Sequence, residues 1–166
     1  MGFIVYFIII MAVPLLVQLY LKKTYAKFLK VPASSGLTGA EAARKVLDEN
    51  GLYHVAVEHV QGKLSDHYDP RDKTVRLSTD NYYGTSVASI SVGIHEVGHA
   101  SAIMVLNPKL VPESISIRNQ AGSYGRVILQ QGMNEQTEEH LLTHLAILLS
   151  GKNAEKLLLG SHATGC

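Results

Sequence analysis

Hydrophobic positions run unbroken at the start of the chain. "FIVYFIIIMAVPLLVQLYL", Phe3 to Leu21, carries no charge and is about long enough to cross a bilayer as one helix. Pro14 and Gln18 inside it are tolerated in such a span. Tyr6 and Tyr20 stand towards its two ends, where interfacial aromatics collect. No Lys or Arg precedes the run and no A-x-A-like site follows it, which argues against a cleaved leader. Lys22, Lys23, Lys27 and Lys30 come directly after it. That bias predicts a single-pass anchor, with the C-terminal side in the cytoplasm. A buried core helix is the alternative, and the length of the charge-free run weighs against it.

Beyond the anchor the pattern changes period several times. "VPASSG", Val31 to Gly36, has linker chemistry. Thr38 to Gly51 reads as a helix: Thr38 and Glu41 have capping-box spacing, and Asn50-Gly51 marks the stop. Its apolar face is narrow, made by Ala42, Val46 and Leu47. Val55 to Val60 alternates with period two and predicts a strand. Leu64 to Ser78 predicts a β-hairpin turning at Asp69-Pro70-Arg71-Asp72. Thr85 to Leu106 is a long apolar helix stopped by Asn107-Pro108. Two short strands follow, Ser114 to Arg118 and Arg126 to Gln130, around a glycine-rich turn. A helix from about Glu135 to Leu149 ends at Gly151, and "NAEKLLLG" makes a further short helix.

Composition narrows the function classes. Fifteen Lys+Arg against fourteen Asp+Glu leave almost no net charge, so no basic face for nucleic acid is implied. The single cysteine, Cys166, excludes an internal disulfide. A chain of 166 residues leaves room for one soluble domain besides the anchor. Residues 1–30 are accordingly assigned to the anchor and its basic juxtamembrane segment, and 31–166 to the domain.

The long apolar helix carries the chemistry. In "GIHEVGHASA", His95 and His99 are four residues apart, so a helix presents both on one face to a shared metal ion. Glu96 sits beside them, placed to act on a metal-activated water as general base. Burying this set in an apolar helix is costly without a metal or other partners. Gly98 relieves crowding next to the site. Surface residues on a plain helix are the competing reading of the five-residue pattern.

Other polar residues read as structural. His67, Asp66 and Asp69 belong to turn chemistry in the hairpin, since Asp before Pro forms local hydrogen bonds. His140 and His144 in "EEHLLTH" lack a glutamate in the motif position. His140 is expected to face solvent among Glu138 and Glu139, and His144 to flank the leucine face.

Two family resemblances rest on quoted segments. "VPASSGLTGAEAARKVLDENGLYHVAVEHVQGKLSDHYDPRDKTVRLS" and "GTSVASISVGIHEVGHA" resemble the YugP-type membrane zinc metallopeptidases, as far as Ala100. "HEVGHASAIMVLNPKLVPESISIR", "LLTHLAILLSGKNAEKLLLG" and "HATGC" resemble the peptidase domain of FtsH-type membrane proteases. Both resemblances imply zinc held by His95 and His99, with Glu96 as base. The second implies a third ligand, an aspartate beyond the Thr-Gly-Ala segment, which the chain ends without reaching. On that resemblance the domain is C-terminally incomplete. Glu155, matched to an Ala-Glu pair, is then the in-chain candidate for third ligand, ahead of His162 and Cys166.

The expectation is an α+β, zincin-like domain behind one transmembrane helix, with a small sheet beside the motif helix. Its expected activity is zinc-dependent hydrolysis of peptide bonds in peptide or protein substrates, with the hairpin as one wall of the cleft. Two alternatives differ in class. One is a catalytically silent zinc-binding module lacking the third ligand. The other is an intramembrane zinc protease. Two donors alone predict weak zinc binding.

Overall fold

The computed structural model of the chain describes residues 2–106, 114–116, 126–128 and 138–160. Helix α1, Gly2–Phe28, runs past Leu21 and through Pro14 without ending. Lysine is a good helix former, so Lys22, Lys23 and Lys27 extend the apolar run instead of terminating it. From Val5 to Phe28 none of its most apolar window is buried in the protein, and the helix is long and apolar enough to cross a membrane.

Residues 31–36 are pinned to the domain and are not a free linker. Val31 O accepts from the Val87 amide at 2.8 Å, and the Ala33 amide donates to Thr85 O at 3.0 Å. Pro32 forms a β-bridge with Ser86. The chain leaving α1 is thereby fastened to the start of α4, Val87–Leu106.

Helix α2, Gly39–Glu49, has the cap its sequence predicts. Thr38 Oγ1 accepts from the Glu41 amide at 3.1 Å, and Glu41 Oε2 accepts from the Thr38 amide at 2.8 Å. Gly51, with φ +73°, takes the left-handed conformation just past its end. Ala43 and Leu47 are fully buried, and Ala42 nearly so. Truncating a leucine buried like Leu47 costs roughly 2–5 kcal/mol, a large share of a small domain's stability.

The sheet has order β1-β3-β2-β4-β5. Strands β2 (His67–Asp69) and β3 (Thr74–Ser78) form the expected hairpin, with Tyr68 opposite Val75. Strand β1, Ala56–Val60, lies parallel to β3. Strands β4 (Ser114–Ser116) and β5 (Arg126–Ile128) pair with each other, and β4 also pairs with β2. Strand β2 is thus paired on both sides. Among the described residues the sheet edges are β1 and β5, so the hairpin offers no free edge for an extended peptide.

Tyr68, Val75 and Leu77 from the sheet meet Val97, Ala100 and Ile103 of α4, with Ala43 and Leu47 of α2 completing the core. Four-residue helix α3, Thr79–Tyr82, follows β3. The last helix, α5, is continuous from Glu138 to Leu159, so Gly151 lies inside it. The glycine expected to stop a helix here serves an interhelix contact described below. The outer parts of the predicted strands and of the predicted helix start, Arg118, Gln130 and Glu135 among them, lie outside the described residues.

Candidate metal centre

Helix α4 is apolar along most of its length, yet its middle holds the three polar residues of the motif. His95 is 4% exposed, His99 5% and Glu96 not at all. The helix meets the length and hydropathy of a membrane span, but 61% of that window is buried inside the protein. Its apolarity is that of a core helix packed between α2, α5 and the sheet.

Helix α5 packs antiparallel on α4 and brings partners to both histidines. Glu155 Oε1 lies 2.6 Å from His95 Nδ1. Ile147 O lies 2.9 Å from His99 Nδ1, with Ser150 Oγ at 3.2 Å. Carboxylate and carbonyl oxygens only accept, so each Nδ1 donates. In the neutral ring Nε2 then carries the lone pair, the form that binds metals. The two rings are 4.8 Å apart and nearly perpendicular. Burial lowers the His99 pKa to about 3, His95 beside it adds to the shift, and the Ile147 carbonyl opposes it. His99 is therefore neutral and ready to act as a ligand near pH 7.

Glu96 shares none of these hydrogen bonds. Neither carboxyl oxygen makes a hydrogen bond of good geometry, although the backbone of Tyr68 on β2 faces the group. Burial pushes its pKa up to about 8 against the pull of His95, and the charges of Asp66 and Glu155 raise it further. A wholly buried carboxyl without good hydrogen bonds costs stability unless something polar meets it.

Close helix approach makes the constellation possible. A Cβ at Gly98 would sit 2.7 Å from Ser150 O, 2.8 Å from the Ala154 Cβ and 2.9 Å from the Gly151 Cα. A Cβ at Gly151 would meet His95 Nε2 at 2.6 Å and both Cδ2 and Cε1 at 2.7 Å. Near-equal distances to three ring atoms put Gly151 over the flat face of the imidazole, clear of the in-plane lone pair. By helix propensity alone, Gly151→Ala would gain about 1 kcal/mol. The crowding on His95 reverses that sign. A net loss of roughly 1–3 kcal/mol is expected, read as a lower thermal midpoint together with weaker zinc binding. A midpoint that rises would show that α4 and α5 do not approach this closely.

The remaining candidates divide clearly. Glu155 reaches the site, through His95 Nδ1. Among the described residues, no group of three or more His, Cys, Asp or Glu side chains is arranged to hold a metal. His162 and Cys166 lie outside the described residues, as does the side chain of His140. His144 is half-buried on α5. His67 stays local, with Nδ1 2.7 Å from Ser65 O. Asp69 accepts from the Arg71 amide at 3.0 Å and from its guanidinium, the expected turn chemistry.

Asp66 is more than a turn residue. It is 1% exposed and accepts from the Ser78 amide at 2.7 Å, from Ser78 Oγ and from Asn81 Nδ2 at 3.0 Å. Asn81 Oδ1 in turn accepts from Tyr25 Oη of α1 at 2.8 Å. This buried network joins the end of α1 to the hairpin. Its sequence signal is faint: two small polar residues, Ser78 and Asn81, at the end of a strand.

The chain matches a family of sequences over residues 3–148. It belongs to the family described as "Putative neutral zinc metallopeptidase". The match continues past Ala100, further than the resemblance drawn from the quoted segments. A curated relative from Bacillus subtilis (strain 168), named "Putative membrane protease YugP", is 52% identical over 101 residues. Those residues are 57% of this chain and 45% of the relative, so the chain spans under half of that protein's length. No solved structure matches. Family membership thus points to zinc-peptidase chemistry, and the relative's name points to the membrane.

Proposed function

We propose that the chain is a membrane-anchored zinc metallopeptidase that hydrolyses peptide bonds in peptide or protein substrates. In this reading His95 and His99 hold zinc through Nε2, and Glu96 is the general base. The observation that carries it is Glu96: a fully buried carboxyl without good hydrogen bonds, next to two histidines whose Nδ1 atoms are both engaged. That arrangement suits the metal, since it leaves two lone-pair nitrogens and one proton acceptor on neighbouring positions of one helix. When bound, zinc supplies polarisation of the scissile carbonyl and acidification of water. Glu96 takes the proton from the attacking water and returns it to the leaving amine. Glu155 acts behind His95: its hydrogen bond to Nδ1 fixes the tautomer and the ring's direction, as carboxylates do beside metal-bound histidines.

The architecture we propose is zincin-like, with residues 1–30 as a single-pass anchor and 31–166 as a cytoplasmic domain. The lysines following Leu21 support that orientation. A reporter fused after Cys166 is expected to read as cytoplasmic, and an exported signal would overturn the topology. A second reading, a silent zinc-binding module, is favoured by the lack of a three-ligand group among the described residues. Measuring zinc stoichiometry together with casein hydrolysis separates the two. Zinc near one per chain with hydrolysis that His95→Ala abolishes supports the peptidase. Zinc without hydrolysis selects the silent module, and neither zinc nor hydrolysis rejects both.

A further inference from the structure

The last turn of α5 carries an apolar surface that the peptidase reading leaves unused. Leu157, Leu158 and Leu159 are 83%, 50% and 39% exposed. A single exposed leucine is ordinary. Three in succession cover a wide arc of the helix end, about 200° at 100° per residue, with Lys156 on the remaining side. Gly160, with φ +70°, then turns the chain off the helix.

The fold fixes where this end lies. His99 meets Ile147, and His95 meets Glu155, so α5 runs antiparallel to α4 and its C-terminal end returns to the α4 start. Ala154 packs with Ala42, Ile90 and Ile94, and the same cluster takes in Ala33 and Leu37. Leu157 to Leu159 begin about one turn beyond Ala154. They therefore stand on the side of the domain joined by the segment that leaves α1, next to the cluster that takes in Ala33 and Leu37. Lys22, Lys23 and Lys27 stand on the last turns of α1. Lys152 and Lys156 lie one turn apart on α5 and share a side with Leu159. Leucines ending a helix behind a pair of lysines match a segment that seats its apolar part below the headgroups.

We infer that the Leu157–Leu159 turn of α5 inserts into the surface of the same bilayer that α1 enters, with Lys152 and Lys156 at the headgroups. This gives the domain a second hold on the membrane and fixes its tilt. The active-site helix α4, tied to Val31 at its start and to α5 along its middle, is then held at a set angle close to the lipid surface. Substrates presented at that surface, such as membrane-protein segments, come within its reach. The inference rests on α1 crossing the bilayer, and the test reports on that step separately.

The test uses the full chain with Cys166→Ser and one new cysteine at a time, labelled with bimane. The positions are Leu158→Cys and Leu159→Cys on α5, Leu16→Cys on α1 and Tyr53→Cys, which is 74% exposed beyond the far end of α2. Each protein is reconstituted into phosphatidylcholine–phosphatidylglycerol vesicles with brominated acyl chains. Labels at 16 and at 158 or 159 are expected to lose roughly half their emission, while the label at 53 keeps nearly all of it. Quenching at 16 with none at 158 and 159 overturns the inference. In that case aqueous iodide reaching 158 means open water, and shielding from iodide means a second copy or another protein covers the turn. No quenching at 16 removes the anchor itself and the inference with it.

Discussion

Glu96→Gln is expected to lower peptide hydrolysis by about 10²–10⁴-fold while bound zinc stays near the parent level. Glutamine keeps the shape of the protonated acid but cannot take a proton from water. His95→Ala removes a donor and should lose the metal, so the pair of variants separates base from ligand. If Glu96→Gln loses zinc as fully as His95→Ala, the assigned role is wrong. A second readout needs no activity. With zinc removed, Glu96 titrates at about 8 in the folded protein against an ordinary 4.5. Between those values the folded state keeps a proton that the unfolded chain releases, so stability falls as pH rises from 4.5 to 8. His99 works in the opposite sense, titrating at about 3 instead of 6.5. From pH 3 to 6.5 the unfolded chain takes up a proton that the folded state refuses, so stability rises with pH. The two slopes oppose each other between 4.5 and 6.5, and above 6.5 only that of Glu96 remains. Glu96→Gln should therefore stabilise the metal-free protein at pH 8 and change little near pH 4. Equal effects at both pH values would show that Glu96 is not held protonated by burial.

The elements whose limits are set by local chemistry were legible in the sequence. The capping box of Thr38 and Glu41, the Asn50-Gly51 stop and the Asp69–Asp72 turn are made by residues within a few positions of one another. The HExxH spacing likewise depends only on helix geometry, so the burial of His95, Glu96 and His99 together followed from the motif and the apolar helix around it. Gly151 shows where such reasoning fails. As local chemistry it predicts a helix end, yet it lies within α5 because the His95 ring occupies the space a side chain would need. That requirement comes from a residue 56 positions earlier, beyond any window of local pattern.

Asp66 was hidden for the same reason. An aspartate near a turn is ordinarily explained by local hydrogen bonds. Its true partners, Ser78 and Asn81, approach only when β3 folds back against β2 and α3 follows. Once they do, a fully buried carboxylate is satisfied by four contacts from two residues, and Tyr25 extends the network to the anchor helix. The tie between Val31 and Val87 is equally non-local, which is why residues 31–36 read as a loose linker. Both long-range features act together. In the proposed reading they make α1 position the domain and not merely tether it, and what they position is the start of α4.

Glu155 offers the sharpest division between the two roles open to it. As an orienting group it accepts the Nδ1 proton of His95, and a glutamine at the same position can do likewise through its amide oxygen. As a zinc ligand it would need its charge, and an amide is a much poorer donor to zinc. Glu155→Ala should weaken zinc binding about 10–100-fold if the residue is an orienting partner, and at least as much if it is a ligand. Glu155→Gln decides between them. Zinc affinity within a few-fold of the parent, with alanine far weaker, is the expected result and identifies Glu155 as a positioning residue. Its backing is the 2.6 Å contact, which puts the carboxylate on the nitrogen opposite to the metal-binding one. The measurement is competition with a zinc chelator of known affinity, checked by circular dichroism to confirm that α4 and α5 stay folded. Glutamine and alanine variants that lose zinc equally would make Glu155 a direct ligand and require His95 to turn its other nitrogen to the metal.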